Sequence, residues 1–175
     1  SRFDAVLDLG CGTGLAGAAF RPISGRLIGV DLSEAMVAKA ATKNLYDRLA
    51  AADLRDFLQQ EASGETRYDL VIAADVFVYL NELSSIFAAV ARLGAQGSLF
   101  AFTSETHAGP GVKLLPTLRY AYAEPYLRAL LGAAGFSVPH LTETSVRSEK
   151  GRPVESLVVV AQKSGEPQAS SGSSG

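Results

Sequence analysis

Short apolar runs recur along the chain, separated by stretches in which apolar positions return at helical spacing. The runs lie at 5–9, 27–30, 69–74 and 97–103, with a weaker one at 46–50. They are β-branched or leucine-rich without polar alternation, the pattern of strands covered on both faces. Helical patterns fall between them at 14–20, 33–44, 54–61 and 82–93. In the last of these, Leu83, Ile86, Phe87, Val90 and Leu93 share one face. Strand and helix alternating in this order predict a parallel sheet with helices on both sides. The stretch 104–122 reads as long and irregular, and a helix over 124–134 stops at Gly135. Two final strand patterns, 136–146 and 154–162, flank Ser148-Glu149-Lys150-Gly151-Arg152, a hairpin-type loop. The expected fold is α/β, a seven-stranded and mostly parallel sheet closed by an antiparallel C-terminal hairpin.

Size and charge narrow the classes of function. The chain has 175 residues, 47% of them apolar, enough for one well-packed domain. That domain is expected over 1–163, followed by a disordered Ser/Gly-rich tail over 164–175. A formal charge of -2 leaves no electrostatic footprint for a nucleic-acid backbone. No apolar run approaches the ~20 residues that span a bilayer, and no signal peptide precedes the first strand. The single cysteine, Cys11, excludes an internal disulfide, which suits a reducing compartment. A cytoplasmic protein is expected. The lead-in before the first strand is only Ser1-Arg2-Phe3-Asp4, which suggests a fragment or the C-terminal part of a larger polypeptide.

The most telling segment is Val6-Leu7-Asp8-Leu9-Gly10-Cys11-Gly12-Thr13-Gly14. A strand opens here into a glycine-spaced turn and then a helix, so a ligand can lie directly against bare backbone. A dinucleotide fingerprint would place its last glycine at position 15, which is Leu15. In open α/β sheets ligands bind beyond the carboxyl ends of the strands, so the strand tips carry the next clues. Asp31 ends the second strand, 21 residues past Gly10, where a carboxylate can accept both ribose hydroxyls. The alternative is helix capping, a need that Ser33 already meets. Asp53 follows the third strand and is equally a good N-cap for the helix after it. After the fourth strand stands Ala73-Ala74-Asp75-Val76-Phe77-Val78-Tyr79-Leu80, whose aromatics are candidates for core or for a face offered to a cation.

Asp8, the alternating glycines, Asp31, Asp53 and the Asp75 segment occur in the order and spacing of the class I S-adenosylmethionine-dependent methyltransferases, which this chain resembles over nearly its whole folded region. The resemblance implies a Rossmann-like fold, S-adenosylmethionine as cofactor, no metal, and methyl transfer to a small-molecule acceptor. It implies cofactor contacts from Asp8, Gly10, Cys11, Gly12, Thr13 and Gly14, and from Asp31 and Leu32 at the ribose. Asp53 would meet the adenine amino group, Met36 and Leu54 would sandwich the ring, and Ala74, Asp75 and Tyr79 would approach the methionine end. Within the family the chain is most similar to small-molecule types, including the methyltransferase domains of tetratricopeptide-repeat proteins. Members usually carry helices before the first strand; these are missing here, so the chain reads as N-terminally truncated. An N-terminal domain of the same polypeptide is then a candidate partner.

No Pro-Cys pair, Asn/Asp-Pro-Pro-aromatic run or Tyr-x-x-x-Lys pair is present, which excludes cytosine C5 and base-amino methyltransferases and short-chain reductases. In-line transfer from a sulfonium needs chiefly alignment and exclusion of water. Should a base be required, Glu105 and His107 are the nearest candidates, with Tyr79 beside them. The alternative for His107 is an ordinary loop histidine, and for the whole chain a catalytically incomplete cofactor-binding domain.

Overall fold

The computed structural model describes residues 2–145 and 147–164. The expected tail lies, beyond Ser164, outside the described residues. Parallel strands and helices alternate first: β1 (Phe3–Leu9), α1 (Leu15–Phe20), β2 (Ser24–Asp31), α2 (Glu34–Ala41), β3 (Arg48–Ala51), α3 (Leu54–Ala62), β4 (Tyr68–Ala73), α4 (Ser84–Leu93) and β5 (Gly94–Glu105). There follow β6 (Val112–Leu114), β7 (Tyr120–Tyr122), α5 (Glu124–Ala133), β8 (Phe136–Thr144), β9 (Ser148–Glu149), β10 (Arg152–Pro153) and β11 (Ser156–Lys163).

The sheet runs β3-β2-β1-β4-β5-β11-β8. The first five strands pair in parallel, while β11 pairs antiparallel with both β5 and β8. The expected closing hairpin is therefore β8 and β11, and the last strand inserts between β5 and β8. Its connecting loop folds into the ribbon β9–β10, turning at Lys150 and Gly151 with φ of 48° and 75°.

The stretch 104–122 is not irregular throughout. Strand β5 continues through Glu105, and β6 and β7 form a short hairpin that hydrogen-bonds back to it. Helix α2 ends earlier than its apolar pattern, because Asn44 takes a left-handed φ of 51° and turns the chain toward β3.

Alternation along β1 sends Leu7 and Leu9 to one face and Val6 and Asp8 to the other. The first face carries the main core under α3, α4 and α5, with Phe57, Leu58, Phe87, Leu127 and Leu131 buried. At its centre Phe77, Phe87, Phe100 and Phe102 meet with centroids 4.9–6.0 Å apart, mostly edge to face. The second face is thinner: Ala16, Phe20 and Tyr46 cover Val6, Leu27, Leu70 and Ile72. Among the described residues no helix is long and apolar enough to cross a membrane.

Candidate functional site

Strand order reverses between β1 and β4, because β1 is followed in sequence by β2 on one side and pairs with β4 on the other. A crevice opens at the carboxyl ends of strands at such a switch point. The chain fills that place with a cleft of about 300 Å³, lined by Gly10, Asp31, Leu32, Asp53, Leu54, Arg55, Asp75, Val76, Tyr79 and Leu80. The volume sits at the lower end of small-molecule sites.

Each wall follows from local chemistry. Gly10 has φ +65°, and a Cβ there would strike Val76, so the turn after β1 and the turn after β4 lie in direct contact. The Asp31 carboxylate is held by two backbone donors, Gly12 N–H at 3.0 Å and Ser33 N–H at 2.9 Å. Ser33 itself caps α2, accepting from Met36 N–H at 3.3 Å, so Asp31 keeps lone pairs for a ligand. Asp53 does cap α3: its Oδ1 accepts from Arg55 N–H (2.8 Å) and Asp56 N–H (3.4 Å). That leaves its second oxygen free at the cleft. Asp75 adopts a left-handed φ of 57°, pinned by its N–H on Thr103 Oγ1 at 2.8 Å.

Of the residues implied by the resemblance, Gly10, Asp31, Leu32, Asp53, Leu54, Asp75 and Tyr79 are brought together here. Cys11, Gly12, Thr13, Gly14 and Met36 do not line the cleft. The Cys11 thiol is buried, and burial together with Asp8 and Asp31 pushes it up to about 12, which keeps it protonated. Ala74 instead borders a smaller apolar hollow with Ala16, Phe20 and Ile72. Val76 and Leu80 of the Asp75 segment also line the cleft, as does Arg55, which no sequence signal marks.

Asp8 lies beneath the glycine turn, 1% exposed, on the thinner face of the sheet. Tyr46 donates its hydroxyl to Asp8 Oδ2 at 2.7 Å. Burial pushes the Asp8 carboxyl up to about 6, and the charge of Asp31 adds to the rise while the Tyr46 hydrogen bond opposes it. Tyr46 occupies a slot made of glycines. A Cβ on Gly17 would collide with its hydroxyl, one on Gly29 would come within 2.7 Å of its ring, and one on Gly14 within 3.3 Å.

The candidate bases are both engaged. Glu105, 3% exposed, accepts from Arg119 Nε at 2.7 Å and stands 3.5 Å from Arg147 Nε. His107 accepts Gly109 N–H on Nδ1 at 3.1 Å, so Nε2 carries the proton and donates to Gly111 O at 3.1 Å. Neither ring nitrogen is free. Tyr79 is 63% exposed at the mouth of the cleft, and its hydroxyl accepts from Arg119 Nη1 at 3.1 Å.

A family model described as a methyltransferase domain matches residues 7–100, more than half of the chain. No curated protein matches it. Among solved structures the chain is similar to an S-adenosylmethionine-dependent methyltransferase from Clostridium acetobutylicum, with 19% identity, a TM-score of 0.72, and coverage of 93% of this chain and 85% of that one. It is similar to magnesium protoporphyrin IX methyltransferase from Synechocystis PCC 6803, which has S-adenosylmethionine bound: 26% identity, TM-score 0.68, coverage 91% and 69%. A third is 1,6-didemethyltoxoflavin-N1-methyltransferase from Burkholderia thailandensis, at 23% identity, TM-score 0.75, and coverage 94% and 72%. At the lower identities the likeness is one of fold.

Proposed function

The chain belongs to the methyltransferase domain family and is an S-adenosylmethionine-dependent enzyme, and on that premise we propose that the cleft beyond β1 and β4 holds the cofactor and serves a small-molecule acceptor. The observation that carries this reading is the convergence of Asp31, Asp53 and Asp75, three acidic strand tips, with the Gly10 turn in one cleft. When bound, S-adenosylmethionine supplies an electrophilic methyl on a positively charged sulfur.

The donor set suits that ligand. Asp31 is oriented by Gly12 and Ser33 and offers its remaining lone pairs to the ribose hydroxyls. The free oxygen of Asp53 accepts from the adenine amino group, while Leu32 and Leu54 give apolar contact to the ring. Asp75 and the Tyr79 ring supply negative charge and an aromatic face on the side of the sulfonium. The Gly10 turn leaves no side chain between ligand and backbone.

Glu105 and His107 are spent on Arg119 and on the loop around Gly109, so the residues at hand align rather than deprotonate. The acceptor then enters with its nucleophilic lone pair already free, and rate comes from proximity and water exclusion. A small-molecule acceptor is supported by the two relatives named for such substrates, a porphyrin and a toxoflavin precursor.

Calorimetric titration with S-adenosylmethionine and S-adenosylhomocysteine tests the site, and formation of S-adenosylhomocysteine against a metabolite panel tests the acceptor class. Saturable binding of both ligands is expected. Absence of heat with either at millimolar concentration would sink the assignment.

A further inference from the structure

One guanidinium organises the outer wall of the cleft without belonging to it. Arg119 stands in the turn before β7, on a hairpin that contributes no residue to the cleft lining. It is 6% exposed, and its three nitrogens point to three different elements. Nε donates to Glu105 at the end of β5 (2.7 Å), Nη1 to the Tyr79 hydroxyl (3.1 Å), and Nη2 to the Asp75 carboxylate. Its Cζ also lies 5.3 Å from the centroid of the Tyr79 ring.

The two groups reached by Nη1 and Nη2 are the ones that packing leaves loose. Tyr79 is a large aromatic exposed to 63%, so little buried surface holds its ring in place. Asp75 has a side chain 55% exposed and a backbone conformation that a non-glycine residue adopts at a cost. Apart from the Thr103 bond to its N–H, the Arg119 pair is what fixes Asp75. Val76, next in sequence, packs on Gly10, so the pose of Asp75 is passed directly to the glycine turn.

Glu105 has a different part. It is buried and anchors the guanidinium from below, which orients the other two nitrogens toward the cleft. The planar fork of arginine can serve all three partners at once, and a lysine ammonium on a flexible stem cannot do so in this geometry.

We infer that Arg119 is a positioning residue of the cofactor cleft: from the β6–β7 hairpin it fixes Asp75 and Tyr79, which face the ligand. The inference rests on the cleft being the cofactor site.

S-adenosylhomocysteine binding by calorimetry provides an acceptor-independent test on the full chain. Removing Arg119 alone would leave the buried Glu105 charge with only Arg147 Nε, 3.5 Å away, so the paired substitution Arg119→Gln with Glu105→Gln is used, alongside Glu105→Gln alone and Arg119→Lys, with thermal melting as a check on folding. The paired variant is expected to bind about tenfold to a hundredfold more weakly, the loss of charge-assisted contacts acting through Asp75 and Tyr79. Arg119→Lys is expected between it and the native protein, recovering part of the affinity, while Glu105→Gln alone stays near native, because the glutamine amide oxygen still accepts from Arg119 Nε and keeps the guanidinium anchored. Tyr79→Phe should weaken binding in the native background and add nothing in the paired variant, since its partner is already gone. A folded paired variant, or a folded Arg119→Lys, with native affinity overturns the positioning role and leaves the cofactor site standing. A full, additive Tyr79→Phe loss in the paired variant overturns it as well, because Arg119 would then act through stability alone. No binding by the native protein would instead overturn the cofactor site, and this inference with it.

Discussion

Asp8→Asn is a direct probe of the support beneath the glycine turn. Asp8 is 1% exposed and its carboxyl is raised from 3.8 to about 6, with burial as the largest cause. A group whose pKa is higher in the folded state favours folding most when protonated. Its contribution is complete below the unfolded value near 3.8 and is lost as pH rises through about 6. A rise of that size corresponds to about 3 kcal/mol. Asparagine is uncharged and keeps a carbonyl oxygen to accept from Tyr46, so it escapes the ionisation cost and preserves the contact. Urea unfolding of both proteins at intervals from pH 4 to 8 gives a difference curve in which other carboxylates cancel. The stability of Asp8→Asn relative to native should rise by roughly 2 kcal/mol between pH 4 and 7, the rest of the full change lying below pH 4, and then level off. A flat difference curve, or one that falls, would refute the reasoning and place the Asp8 ionisation in a solvated setting.

Three further outcomes follow from the same geometry. Asp31→Ala should weaken S-adenosylmethionine binding by several kcal/mol at most, roughly the worth of a charge-assisted pair, as read by calorimetry; unchanged affinity would mean the ribose is held elsewhere. Phe77→Ala empties the middle of the aromatic cluster, where Phe77 is fully buried, and should cost about 3–5 kcal/mol in urea unfolding. Gly17→Ala should lower stability by about 1–3 kcal/mol, because the clash with Tyr46 outweighs the better helix preference of alanine. In a Tyr46→Ala background the sign should reverse, with the helix preference of about 1 kcal/mol left unopposed.

What could be read from the chain was what short-range pattern encodes. The apolar runs before Asp31, Asp53 and Asp75 each give way to a carboxylate and the one before Gly10 to a glycine turn, so the carboxyl rim of the sheet was visible as a series of abrupt changes in residue type. The β6–β7 hairpin was not, since Val112–Leu114 and Tyr120–Tyr122 are three residues each and too short to show a period. Tyr46 falls at the start of the weaker apolar run at 46–50, but β3 begins only at Arg48 and Tyr46 lies in the loop before it. Its role appears only when Gly14, Gly17 and Gly29, drawn from a turn, a helix and a strand, are assembled around it. The part played by Arg119 is hidden for the same reason, as its partners at 75, 79 and 105 are far away in sequence. Glu105 shows the opposite error: position at a strand end drew attention to a carboxylate whose burial commits it to an ion pair.

The glycine-lined slot for Tyr46 makes four positions into one evolutionary unit. Residues 14, 17, 29 and 46 come from separate elements, yet a larger side chain at any of the first three displaces the aromatic ring, and a smaller one at the fourth leaves a hole. Drift at these sites should therefore be concerted, with a shrunken residue 46 opening the way for alanine or serine at 17, and at 29 once the Leu49 side chain, 2.9 Å from a Cβ there, also gives way. Engineering that enriches helix α1 with stronger helix formers has to begin outside it, at the loop that delivers the tyrosine.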